Sequence, residues 1–250
     1  MCLINGSFCK NLRITIPILL ICVFTLFIFN ESIAQVEKIR IACIGNSITF
    51  GARTSNPELQ SYPAVLSALL YKNGYSNYEV RNFGIGGATI IRYGTPNIWR
   101  LLDSLEIFIP DVVIIKVGTN ETVSAPRYNW EHIGDFEKDY FDYIDSIKKI
   151  SPNCKFIICS PLDMVIQTEG LSPERVKDLS LRRPLIWELR KRIKKIAKKD
   201  HAYFLDLTKP FEGKSNLMTV SDGVHPNKDG YHYMATLAFD FMVKKRIVVK

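Results

Sequence analysis

The stretch Ile41-Ala-Cys-Ile-Gly-Asn-Ser47-Ile-Thr49 decides how the rest of the chain is read. Four apolar residues stop at a glycine, and polar side chains follow at once. A short apolar run bounded by a turn signal is what a strand buried on both faces requires. Gly45 ends that strand and delivers Ser47 just beyond its carboxyl end.

Working outward, the first strand candidate covers residues 39–44, and similar runs recur at 78–82, 112–117, 155–159 and 203–207. Helical patterns lie between them at 62–71, 98–108, 136–150 and 184–198, with a last one at 229–243. Strand and helix in alternation, without a break in composition, predict an α/β domain built on a parallel sheet with helices on both faces. A chain of 250 residues with 47% hydrophobic content is long enough for one substantial core and short for two.

Ligands of such sheets bind beyond the carboxyl ends of the strands, where the loops converge. Three polar or glycine-rich segments fall on that edge: the turn at Ser47, Asn82-Phe-Gly-Ile-Gly-Gly87, and Gly118-Thr-Asn120-Glu121. Near the other end of the chain, Asp222-Gly-Val-His225-Pro226 adds an acid and an imidazole three residues apart. A serine hydroxyl is a poor nucleophile until a base accepts its proton, and an acid orients that base, so these residue types are the parts of a hydrolytic triad.

The four blocks Gly45-Asn-Ser47, Asn82 to Gly87, Gly118-Thr-Asn120 and Asp222 to His225, in this order, resemble the SGNH or GDSL hydrolase family. The resemblance implies a flavodoxin-like three-layer α/β/α sandwich with a five-stranded parallel sheet. It implies Ser47 as nucleophile, with His225 and Asp222 completing the triad. It further implies an oxyanion hole made by the backbone N–H groups of Ser47 and Gly87 and the side-chain amide of Asn120. The motif argues against an ordinary nucleophile elbow, because Gly45-x-Ser47 lacks the second glycine. Two positions depart from the family pattern. Asn46 stands where an aspartate is usual, which removes a negative charge beside the nucleophile, and Glu121 replaces an aspartate in a supporting role.

Competing assignments are simpler. Ser47 could be no more than a helix cap, and Asn120 a turn residue. Asn82 could serve only to tie its own loop. Ser160 also ends a strand but follows no glycine turn, and His132, His201 and His232 have no matching acid block.

Residues 1–34 read as a secretory signal peptide: Lys10 and Arg13 precede an uncharged run, 14–29, and small residues Ser32 and Ala34 mark a cleavage site. The alternative is an N-terminal membrane anchor. The domain is then 35–250, and its location secreted or periplasmic. Cys43, Cys154 and Cys159 remain after cleavage, an odd number, and Cys43 and Cys159 lie in apolar runs, which argues against a disulfide framework. No cysteine or histidine spacing calls for a metal, and no cofactor is implied. The net charge of +8 concentrates in a basic helix at 184–198 whose Leu185, Ile186, Leu189, Ile193 and Ile196 repeat at helical spacing. That is the solvated face of an amphipathic helix, and without interleaved aromatics it does not suggest a nucleic-acid partner.

For the substrate, Val113-Ile-Ile-Lys116 and Ser61-Tyr-Pro-Ala look most like bacterial secreted sialate or carbohydrate O-acetylesterases, implying a small-molecule or glycan ester. A lipid-directed esterase and a non-catalytic glycan-binding protein are the alternatives. The segment 161–181 is long for a strand–helix connection and carries Leu162, Met164, Val165, Ile166 and Leu171, so it is expected to wall the pocket.

Overall fold

The computed structural model describes residues 37–250. The proposed signal segment therefore lies outside the described residues. Five strands form one parallel sheet: β1 (Ile39–Gly45), β2 (Tyr78–Gly84), β3 (Val112–Lys116), β4 (Lys155–Cys159) and β5 (Tyr203–Leu205). Their order is β2-β1-β3-β4-β5. This is the doubly wound, flavodoxin-like order, and the expected architecture holds.

The strand sequences explain why helices cover both faces. Successive side chains point to opposite sides. In β1, Ile41 and Cys43 enter one core together with Ile114 of β3 and Ile157 of β4. Ala42 and Ile44 enter a second core with Val113, Ile115 and Ile158. The first core is closed by α3 (Tyr62–Lys72) and by α7 (Lys228–Lys244), through Leu66, Leu70, Met234 and Ala238. The second is closed by α4 (Leu102–Phe108) and α5 (Phe136–Ile150), through Leu105, Tyr140, Ile144 and Ile147. Two one-turn helices, α1 (Ser47–Phe50) and α2 (Pro57–Gln60), precede α3.

The long helix α6 (Pro173–Lys199) departs from expectation. Its sequence was expected to begin helix at 184, because an interior proline removes a backbone donor and usually marks a helix start. Instead Ser172 caps it, its Oγ accepting from the Arg175 N–H at 3.2 Å, and Pro173 occupies the first turn. Pro184 sits inside the helix, tolerated because neighbouring arginines anchor that stretch: Arg182 donates to the Thr119 carbonyl at 3.1 Å and Arg183 to Asp163 at 2.9 Å.

The expected pocket wall at 161–181 is thereby corrected. Its second half is helix, and Leu162, Met164 and Val165 are buried in the first core rather than facing a ligand. The segment is a buttress, with the Val165 N–H bonded to the Gly223 carbonyl at 2.9 Å. Among the described residues, no helix is long and apolar enough to cross a membrane.

Candidate active site

Ser47 is the first residue of α1, directly past β1. The cap of that helix is Asn46, whose Oδ1 accepts from the Ile48 N–H at 3.1 Å, so the serine hydroxyl is not used as a cap. Gly51 closes the turn at φ +96°, and a Cβ there would come within 2.6 Å of the Ser61 Cβ. The short helix is thus pinned at both ends, with the Ser47 hydroxyl left for another partner.

That partner is His225. Ser47 Oγ lies 2.8 Å from His225 Nε2, although 178 residues separate them in sequence. On the other side of the ring, Nδ1 lies 3.1 and 3.0 Å from the two carboxylate oxygens of Asp222. Asp222 Oδ1 also accepts the backbone N–H groups of Val224 and His225 at 2.9 and 2.8 Å. The turn that makes this possible needs Gly223 at φ +71°, and a Cβ there would strike Leu179 Cδ1 at 2.6 Å. Burial works against ionisation of Asp222, but hydrogen bonds and charge from His225, with the Val224 N–H, outweigh it and hold the carboxyl below its usual range.

Two arginines absent from the sequence-level candidates also reach this acid. Arg53 Nε lies 3.2 Å from Asp222 Oδ2, and Arg175 Nε donates to the Asp222 carbonyl at 3.0 Å. Arg53 and Asp222 are 169 residues apart, and a lone arginine in a loop carries no local signal of such a contact.

Gly87 and Asn120 come from the loops after β2 and β3. Gly87 has φ +76°, the left-handed conformation that glycine adopts without penalty. A Cβ there would meet nothing closer than Arg127 Nη1 at 3.5 Å, so the backbone conformation, rather than crowding, explains the glycine. Asn120 Nδ2 donates to the Ala88 carbonyl at 2.9 Å, which fixes the amide beside Gly87 and leaves its second hydrogen free of that bond. Asn82 ties its own loop, as the simpler reading had it: Oδ1 accepts the Gly84 N–H at 2.9 Å.

Glu121 has the supporting role expected of its block. Fully buried, it accepts the Ile90 N–H at 2.7 Å and the Gly118 N–H at 2.9 Å, so one carboxylate holds the loops of Gly87 and Asn120 together. Burial raises its pKa against those bonds. Lys116, also fully buried, reaches Asn46 Oδ1 at 3.4 Å and Thr119 Oγ1 at 3.2 Å. The usual aspartate at 46 would therefore have stood beside a buried ammonium.

Burial lowers the Lys116 pKa from 10.5 to about 7, with Glu121 opposing. The folded pKa lies below the unfolded one, so between these values the unfolded chain binds a proton that the folded chain lacks. Stability therefore rises with pH from about 7 to about 10.5, and the burial penalty is fully present below that window. Thermal unfolding of wild type and Lys116→Met across this window tests the assignment. The lysine's share of the rise is expected to vanish in the variant, and parallel curves would refute it.

Other candidates are accounted for structurally. Ser160 is fully buried, and its Oγ accepts the Leu207 and Thr208 N–H groups at 2.8 and 3.0 Å. His132 stacks on Tyr93 with ring centroids 3.5 Å apart, and His232 lies against Thr236 within α7. Cys43, Cys154 and Cys159 are free thiols; burial pushes Cys43 and Cys154 up to about 12 and Cys159 higher still. Among the described residues, no group of three or more His, Cys, Asp or Glu side chains is arranged to hold a metal ion.

The arrangement can relay a proton from a serine through an oriented imidazole. An acetylxylan esterase of Xylanibacter ruminicola is 29% identical over 223 residues, 80% of this chain, although the chain spans only 42% of that relative's length. The crystal structure of an acetyl xylan esterase is similar with a TM-score of 0.57 and 25% identity, covering 81% of this chain and 99% of its own. The lipase/acylhydrolase from Enterococcus faecalis shares the fold at a TM-score of 0.63 and 20% identity, over 82% and 96% of the two chains. Residues 43–233, most of the chain and all four sequence blocks, match the GDSL-like lipase/acylhydrolase family, and the chain belongs to that family.

Proposed function

We propose that this esterase removes acetyl groups from carbohydrates through an acyl-enzyme on Ser47. In this reading His225 takes the Ser47 proton as the hydroxyl attacks the acetyl carbonyl, and then returns it to the departing sugar oxygen. Asp222 keeps the imidazole in the tautomer whose Nε2 is free to accept, and stabilises its charged form. The N–H groups of Ser47 and Gly87 and the amide of Asn120 receive the oxyanion, where one donor is worth about 3 kcal/mol. Water then releases acetate by the same route in reverse.

The observation that carries the mechanism is the unbroken chain from Ser47 Oγ through His225 to Asp222, with contacts of 2.8 and 3.0 Å. What favours acetylated glycans is the kinship with an acetylxylan esterase and the similarity to the crystal structure of another. Hydrolysis rates of p-nitrophenyl acetate, butyrate and octanoate, beside acetate release from acetylated xylan, test the substrate. A steep fall with chain length and release from xylan are expected. A preference for octanoate would move the assignment to lipid esters.

The basic helix α6 exposes Lys191, Lys194, Lys195, Lys198 and Lys199 to solvent, while three of its arginines are paired with acids. Arg190 pairs with Asp206 at 2.5 Å, Arg183 with Asp163, and Arg192 with Glu137. We further propose export by the segment 1–34, so that the exported protein begins at Gln35. N-terminal sequencing of protein recovered outside the cytoplasm decides this, and an intact Met1 would contradict it.

A further inference from the structure

The turn after Asn120 carries a feature that the hydrolytic mechanism does not use. Tyr128 is 49% exposed and has φ +53°, a conformation L residues adopt at a cost. It is nevertheless firmly held. Its N–H and that of Arg127 both donate to the Ser124 carbonyl, at 2.7 and 3.0 Å, and the Trp130 N–H closes the turn on the Val123 carbonyl at 3.1 Å.

Both neighbours of Tyr128 are bonded to the residues assigned to the oxyanion hole. On one side, Arg127 Nη2 donates to the Gly87 carbonyl at 2.7 Å and to the Thr95 carbonyl at 3.2 Å. On the other, the buried Asn129 donates through Nδ2 to the Asn120 carbonyl at 2.9 Å. The backbone that carries this exposed phenol ring is thus held, through both its neighbours, to the Gly87 and Asn120 loops. The Arg127 guanidinium beside it is held by carbonyl oxygens and pairs with no carboxylate among the described residues. A second half-exposed ring, Tyr93, lies in the loop that Arg127 clamps at Thr95, and its stack on His132 keeps it rigid.

From this geometry we infer that Tyr128, with Arg127, forms a saccharide subsite that receives the sugar ring next to the acetylated one. The inference rests on the glycan reading given above. The face of an aromatic ring is electron-rich and packs against the slightly positive C–H face of a pyranose, while unused guanidinium donors suit its hydroxyls. A tyrosine on a held backbone turn has only two side-chain torsions left to lose on binding, so its contact area converts efficiently into affinity. Tyr128 is a specificity-determining residue here and takes no part in bond breaking.

The test compares wild type, Tyr128→Ala and Tyr128→Trp on acetylated xylo-oligosaccharides and on p-nitrophenyl acetate, with titration of the same oligosaccharides after chemical deacetylation. For Tyr128→Ala, selectivity for the oligosaccharide over the small ester is expected to fall about tenfold, the worth of one good aromatic contact. The fall should appear in KM, with weaker binding of the deacetylated oligosaccharide, and Tyr128→Trp should restore both. Equal loss on the two esters would make Tyr128 a brace for the turn and overturn the inference, as would unchanged selectivity. Wild-type protein inert towards p-nitrophenyl acetate would instead overturn the esterase reading itself.

Discussion

Ser47→Ala is expected to lower kcat for p-nitrophenyl acetate by on the order of 10⁶-fold, the cost of removing a nucleophile that works as a unit with its base. The hydroxyl caps no helix, because Asn46 does that, and its hydrogen bond in this structure is to His225. Its loss should therefore cost little stability, since only one partly exposed hydrogen bond disappears. Circular dichroism and a melting curve close to wild type, alongside abolished turnover, are the combined result expected. A variant that keeps more than a hundredth of wild-type kcat would remove Ser47 from the mechanism.

Asp222→Asn is the second large effect, on the order of 10⁴-fold in kcat. The carboxylate accepts from the imidazole and from two backbone N–H groups at once. An asparagine can keep the backbone bonds through its oxygen, but its NH₂ then faces Nδ1. That favours the tautomer protonated on Nε2, the nitrogen which must accept from Ser47. The charge partner of Arg53 is lost as well. KM should move far less than kcat, because no part of Asp222 touches the ester in this account. An unchanged kcat with raised KM would place Asp222 in substrate binding instead.

Much of this architecture was legible because it is local. The run at Ile41 marks β1 to within a residue, and the amphipathic pattern of α5 gives Phe136–Ile150 directly. Ser47, His225 and Asp222 were readable because each sits in a short block with a glycine turn or an acid three residues away. What escaped is non-local. The anchoring of α6 by Arg182 and Arg183 overrides the break that Pro184 suggests, and no pattern within the helix announces Thr119 or Asp163 as partners. The apolar residues of 161–181 have the composition of a pocket wall and of a core alike, and only packing separates the two.

The same holds beneath the site. Glu121 was recognisable as a supporting acid, yet its partner Ile90 lies 31 residues away on another loop. Lys116 reads as a polar interruption at the end of a strand, whereas it is a fully buried amine joining the nucleophile turn to the Asn120 turn. Arg53 and Arg127 gained meaning only when the loops after β1, β2, β3 and β5 were brought together.

The most direct measurement of the central claim is to quench the reaction with p-nitrophenyl acetate during its first turnovers and map the acetylated peptide by mass spectrometry. The account predicts one acetyl group on the peptide containing Ser47, formed with the initial burst of p-nitrophenol and absent from Ser47→Ala. Turnover with no acetyl on that peptide, or an acetyl group that forms equally in Ser47→Ala, would contradict it.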